Sequence, residues 1–158
     1  PNSIILISSK GKFADKIKKI SKKKFKNIKV IDWIKYENLS SFLSISNVLI
    51  VTLEKEASTF SVPSKIYAYL TTGKPILGSM PTENLGSKII YKTKAGYVSK
   101  PDDIESFINN ARKIKKSKKI RKYFSNNSKK YKNLRSVSIS NMIKIICFFQ
   151  FRRKYCSK

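Results

Sequence analysis

The sequence predicts an α/β protein: an open parallel sheet with helices on both faces, followed by further helices at the C-terminus. Short apolar runs of strand length alternate with amphipathic segments of helix length. Strand and helix alternate through about five rounds, and the joins between them are short. In such a sheet the crossovers take the right-handed sense. A chain of 158 residues, 41% of them hydrophobic, is long enough for a packed core.

Ile4–Ile7 is apolar and β-branched and ends at Ser8-Ser9-Lys10-Gly11, a strand followed by a turn. Phe13–Lys23 carries Phe13, Ile17 and Ile20 at helical spacing. Ile28–Ile31 is a second strand, and Tyr36–Ser46 a second helix with Leu39, Phe42 and Leu43 on its apolar face. Val48–Leu53 is almost wholly apolar, as expected for the centre of a parallel sheet. Pro63 suits a first helical turn. Ile66, Tyr67 and Leu70 form the apolar face of that helix, and Gly73 stands where a cap would end it. Pro75–Gly78 is a strand, Glu83–Tyr91 a helix, Ala95–Val98 a strand, and Asp102–Lys115 a helix with Asp102 or Asp103 near its start.

After residue 115 the character changes. Lys116–Arg135 is dense in Lys and Asn, and Ser136–Phe151 regains helical periodicity. These are read as two further helices, giving a main domain over 1–115 and a basic helical extension over 116–158.

The formal net charge is +26, from 35 Lys+Arg against 9 Asp+Glu. Such an excess attracts polyanions and anionic membrane surfaces. Most of these cations are Lys, with Asn and Ile also abundant, which is the drift of an AT-rich genome. The charge is thus permissive rather than specific. There is no His, and the only cysteines are Cys147 and Cys156, so no metal-ligand spacing and no disulfide framework is present. Two cysteines fit a reducing, cytoplasmic setting. The longest apolar run in the tail, Ile143–Phe151, is far below the ~18 residues of a membrane span.

Ligands of open α/β sheets bind beyond the carboxyl ends of the strands, near helix N-termini. Ser8–Lys12, Glu54–Lys65 and Ser79–Leu85 are the loops that qualify. At Pro63-Ser64-Lys65 a helix start offers free N–H groups, a hydroxyl and an ammonium, a set suited to a diphosphate. The plainer alternative makes Ser64 a cap and Lys65 a solvated lysine. No glycine-rich dinucleotide fingerprint or Walker loop is present.

Val62–Ser79, VPSKIYAYLTTGKPILGS, resembles the "PSK…Y-L-A-x-G-K-P-I-L" segment of GT-B-type glycosyltransferases (group 1, family-four-like), especially the branch that builds cell-surface polysaccharides. NIKVIDWIKYENLSSFLSISNVLIVTL and PTENLGSKIIYKTKAGYVSKPDDIESF resemble the flanking segments of the same family, so the likeness runs through residues 2–115. It implies a Rossmann-like C-terminal domain holding a nucleotide-diphosphate sugar as donor substrate, with no separate cofactor and no metal. Pro63, Ser64 and Lys65 would meet the donor diphosphate. Glu83, Asn84 and Leu85 would face the sugar and phosphate, and Trp33 and Ile34 the base. Trp33 would stack on that base or, equally, pack against the core.

Departures accompany the likeness. The Glu pair of better-known members falls on Phe60 and Ala68, whose side chains accept no hydrogen bond from a ribose hydroxyl. Glu54 and Glu56 lie nearby with no spacing to favour either, so no catalytic residue is assigned. Set against the family, the chain opens on Pro1 at the second strand of the donor domain. A first strand and helix, and an N-terminal acceptor domain, are therefore expected as missing partners. Retaining transfer uses the cleft between two domains, so little activity is expected from this chain alone. Ile145–Lys158 joins aromatics to a basic end. It packs on a neighbouring domain or lies at the inner face of an anionic membrane. The rival function is a basic α/β module that binds nucleic acid or another polyanion. Scarce Arg and the lack of any recognition motif leave nucleic-acid binding non-specific.

Overall fold

A computed structural model describes residues 3–55 and 64–134. Among these the chain runs β1 (Ile5–Ser8), α1 (Lys12–Lys24), β2 (Ile28–Ile31), α2 (Tyr36–Ser44), β3 (Leu49–Thr52), α3 (Ser64–Thr72), β4 (Ile76–Ser79), α4 (Leu85–Thr93), β5 (Gly96–Ser99), α5 (Ile104–Lys116) and α6 (Lys118–Leu134). Order and type agree with the expected alternation, with ends displaced by a residue or two. The second tail helix, expected over Ser136–Phe151, and the amphipathic end Ile145–Lys158 lie outside the described residues.

Two compact units divide between Ile45 and Ser46. The composition changes after residue 115, yet α6 packs directly on α3, α4 and α5 within the second unit.

In the first unit β1 and β2 pair in parallel, from Ile5 opposite Ile28 to Ser8 opposite Ile31, with α1 as the crossover. α1 turns Ala14, Ile17 and Ser21 inward. Ile20, expected on the apolar face, is 42% exposed. Ala14 and Ser21 are small enough to lie close to the strands, and the buried stripe is rotated accordingly. α2 follows its periodicity, with Leu43 buried and Leu39 and Phe42 half-buried. Asp15 lies in the first turn of α1 and Lys22, Lys23 and Lys24 in its last, the arrangement the helix dipole favours, whereas α2 has Glu37 in its first turn and no cation in its last.

In the second unit β3, β4 and β5 form a three-stranded parallel sheet in that order. The expectation that Val48–Leu53 forms the centre of a sheet is corrected here. β4 is central, with Ile76, Leu77 and Gly78 all buried, whereas β3 alternates and leaves Ile50 42% exposed. An apolar run alone does not separate a central strand from an edge strand buried on one face. The Tyr69 hydroxyl of α3 donates to the Ile50 carbonyl at 3.3 Å.

Successive residues of β4 point to opposite faces. Ile76 joins Val51, Ile66, Leu70, Met80, Ile90, Ala95 and Val98 in a core beneath α3 and α4. Leu77 joins Ile114 of α5 and Phe124 of α6 on the other face. Tyr97 meets Phe124 edge-on, with ring centroids 4.9 Å apart. Helices thus cover both faces, as the sequence predicts. Gly96 sits where a Cβ would fall 1.8 Å from the Ile76 carbonyl oxygen, so only glycine permits the β4–β5 approach.

α6 closes the amino ends of these strands. Helix C-termini leave carbonyls without intrahelical partners. Ser125 Oγ donates to Gly73 O at 2.7 Å and Ser128 Oγ to Lys74 O at 3.2 Å, just beyond α3. Asn127 Nδ2 donates to Lys94 O at 3.0 Å, beyond α4. Arg121 Nη1 donates to Ile114 O at 2.7 Å near the end of α5.

Candidate functional site

Because the strands are parallel, their carboxyl ends and the loops that follow lie together. Pairing persists to this edge: Leu53 N–H donates to Ser79 O at 2.8 Å, and Met80 N–H to Ser99 O at 3.0 Å. Beyond it opens a cleft of about 530 Å³ whose described lining comes from all three post-strand loops. Lys55 follows β3; Pro81, Thr82 and Glu83 follow β4; Lys100, Pro101, Asp102 and Asp103 follow β5.

The lining mixes signs. Lys55 Nζ lies 3.7 Å from Asp102 Oδ2, with both side chains about three-quarters exposed, so the pair is readily exchanged for solvent or a ligand. The fully exposed Glu83 carboxyl is held below the usual carboxylate range. The Thr82 hydroxyl contributes most, then the Glu83 N–H, then Lys100 and Lys88. Asp103 is held low chiefly by the Ser106 backbone N–H, which donates to its Oδ1 at 2.9 Å as the N-cap bond of α5.

The residues expected at the sugar and phosphate meet at the start of α4. Asn84 is its N-cap: the buried side chain accepts from Gly86 N–H at 2.7 Å. Ser87 Oγ donates to Pro81 O at 2.6 Å, fixing the turn from beneath. Glu83 stands on the cleft, and Leu85 is 47% exposed in the first turn. Of the residues expected at the diphosphate, Ser64 opens α3, and Lys65 is exposed in its first turn. Pro63 lies outside the described residues, as do Glu56 and Phe60. Ala68 is half-buried in α3, and Glu54 is exposed after β3.

Trp33 and Ile34 belong to the first unit, on the loop after β2. Trp33 is 64% exposed, which rules out the core-packed alternative. Ser8, at the carboxyl end of β1, pins this loop: its Oγ donates to Asp32 O and accepts from Ile34 N–H, both at 3.1 Å.

Lys55, Thr82 and Lys100 escape sequence reasoning. Nothing local marks these two lysines among 35 cationic residues, and only the pairing of the strands brings their loops together.

No curated protein matches the chain. The structure is similar to that of WaaG, a glycosyltransferase involved in lipopolysaccharide biosynthesis, with a TM-score of 0.70 at 16% sequence identity. The match covers 84% of this chain and 34% of WaaG, so the chain spans about a third of that protein's length. At that identity the likeness establishes the Rossmann-like fold. The sequence profile of the family described as glycosyl transferases group 1 matches residues 1–131. The chain therefore belongs to the group 1 glycosyl transferases.

Proposed function

We propose that this chain is the donor-binding half of a retaining glycosyltransferase that holds a nucleotide-diphosphate sugar over the carboxyl ends of β3–β5. The observation that carries this reading is the start of α3: a helix N-terminus at the carboxyl edge of the sheet, with an exposed lysine, Lys65, in its first turn. First-turn N–H groups have no intrahelical partners, and the helix dipole favours an anion there. Ser64 and Lys65, with Pro63 before them, would hold the diphosphate. Glu83 and the Leu85 N–H would approach the sugar, with Asn84 shaping the turn as its cap. The donor itself brings the reactive group, so no cofactor is required. Stabilising the departing diphosphate is the part of catalysis these groups can supply.

The acceptor requires a second domain. The chain alone is expected to bind donor but to transfer sugar slowly or not at all, because that second domain would position the acceptor. Cell-surface polysaccharide or glycolipid synthesis suits both the family and the net charge of +26, which would hold the protein at the anionic inner face of the membrane. The same charge favours the second reading, a polyanion-binding module. Calorimetry separates the two: a UDP- or GDP-sugar should bind saturably and more tightly than the matching mononucleotide. Equal weak affinity for nucleotides and heparin, lost together as salt rises, would replace the donor reading with the polyanion one.

A further inference from the structure

We propose that the outward face of α6 is a docking surface for an anionic lipid bilayer. The face deepens the membrane part of the proposed function and is independent of the donor site.

Packing fixes the inward stripe of α6: Phe124 and Ser128 are buried, and Ile120, Ser125 and Asn127 are half-buried. At about 100° per residue, the opposite side carries Lys118, Lys122 and Lys129 in one row and Lys119 and Lys130 in the next, with Tyr123 beside them. The five lysines are exposed, and Tyr123 is 50% exposed. The rows run about 18 Å along the helix. Arg121, the single arginine of α6, turns inward instead and donates to Ile114 O and Lys115 O.

Helix stability does not account for these lysines. α1 and α5 each set an acid in the first turn and cations in the last, as the helix dipole favours. α6 opposes the dipole at its start, with Lys118 and Lys119 in the first turn and no acid along its length. Lys118 and Lys122, four residues apart, also repel each other. An anionic surface relieves both. The charges are segregated as well. Among the described residues of the second unit the acids are Glu54, Glu83, Asp102, Asp103 and Glu105, all beyond the carboxyl ends of the strands or in the first turn of α5. Drift toward Lys enriches a whole chain and does not sort acids from bases. The described lining of the cleft includes no residue of α6, so a bilayer against this face leaves the cleft lining uncovered. A bilayer also suits the face better than a polynucleotide. Lysines on the outer side of a helix meet lipid phosphates as point charges, and a half-exposed tyrosine suits the headgroup layer. Nucleic-acid binders track the backbone in a groove and lean on arginine to read bases.

The full chain is sedimented with vesicles of phosphatidylcholine, alone or mixed with phosphatidylglycerol. The test variant joins Lys118→Gln, Lys122→Gln and Lys129→Gln. Its control joins Lys16→Gln, Lys19→Gln and Lys23→Gln, three exposed lysines of α1, and so loses the same formal charge. The wild type should bind the mixed vesicles only, and less as salt rises. The α6 variant should bind them roughly a hundredfold more weakly, and the α1 variant less than about threefold more weakly. The α6 variant should melt no lower than wild type, since the lysines removed oppose the helix. Equal losses in the two variants would overturn the face and leave net charge as the cause of membrane binding. Undiminished binding by the α6 variant would overturn it too. Tighter binding to single-stranded DNA than to mixed vesicles at one salt concentration, lost in the α6 variant alone, would make this a polynucleotide surface and overturn the bilayer. Absence of wild-type binding to mixed vesicles would overturn the membrane reading and the face together.

Discussion

The two ends of the three-stranded sheet treat the same problem in opposite ways. Helix ends carry backbone groups that the helix itself does not satisfy. At the amino ends of β3–β5 these are carbonyls, and α6 supplies Ser125, Asn127, Ser128 and Arg121 to meet them. At the carboxyl ends they are N–H groups. Asn84 and Asp103 each cap one, while a cleft carrying Lys55 and Lys100 stays open. The difference teaches that hydrogen bonds at one end are kept internal, whereas at the other cations face an open cleft. Substitutions at the closed end should therefore change unfolding and leave donor affinity per folded molecule unchanged.

The largest effect belongs to Gly96→Ala. Its Cβ would meet the Ile76 carbonyl oxygen at 1.8 Å, and backbone cannot yield as a side chain would. A loss of more than about 4 kcal/mol is expected, read as absence of a cooperative thermal transition by circular dichroism. A transition close to that of the wild type would show that β4 and β5 do not approach as described. Leu70→Ala comes next. Leu70 is fully buried between α3 and the sheet, so the substitution should remove about 2–5 kcal/mol in urea unfolding.

Ser128→Ala tests the α6 closure itself. The residue is fully buried and its hydroxyl serves Lys74 O, so about 1–3 kcal/mol should be lost. A loss within ~0.5 kcal/mol would place that carbonyl in water and weaken the contrast between the two ends.

Much of this architecture is legible in the sequence. Val48–Leu53 and Pro75–Gly78 announce strands through apolar runs, and Ile66 and Leu70 announce a buried helical face. Gly73, at φ 68, ends α3 as its position suggests, because glycine enters the left-handed region without a Cβ clash. What stayed hidden was non-local. Ser125 and Ser128 reach carbonyls 52 and 54 residues away, and no local pattern distinguishes them from solvated serines. The edge position of β3 depends on which strands pair with it. At the candidate site, the helix start at Ser64-Lys65 could be read from Pro63 and the periodicity that follows. The cleft lysines could not, since their common position exists only once three loops converge. Asn84 was legible as a residue of the loop that enters α4, but its buried capping bond was not.

The smallest expected effect is a pH dependence. Asp103 titrates below its ordinary value because its ionised carboxylate accepts the Ser106 N–H. A depressed folded-state pKa stabilises the folded protein above the unfolded value of about 3.9, and that contribution disappears as pH falls through the folded value. Asp103→Asn keeps a capping oxygen without the charge. Its melting temperature relative to wild type should therefore rise as pH is lowered from 5 through the acid range. A difference independent of pH would show that the cap does not depend on ionisation.

The central claim is that the entrance of α3 binds a pyrophosphate through its amides and Lys65. It is tested most directly by calorimetric titration of UDP- and GDP-sugars into the wild type and Lys65→Ala at one salt concentration. The wild type should bind at least one donor saturably and one-to-one. Affinity should fall roughly tenfold in Lys65→Ala, with unfolding changed by less than ~0.5 kcal/mol. Equal affinity in the two proteins would contradict it.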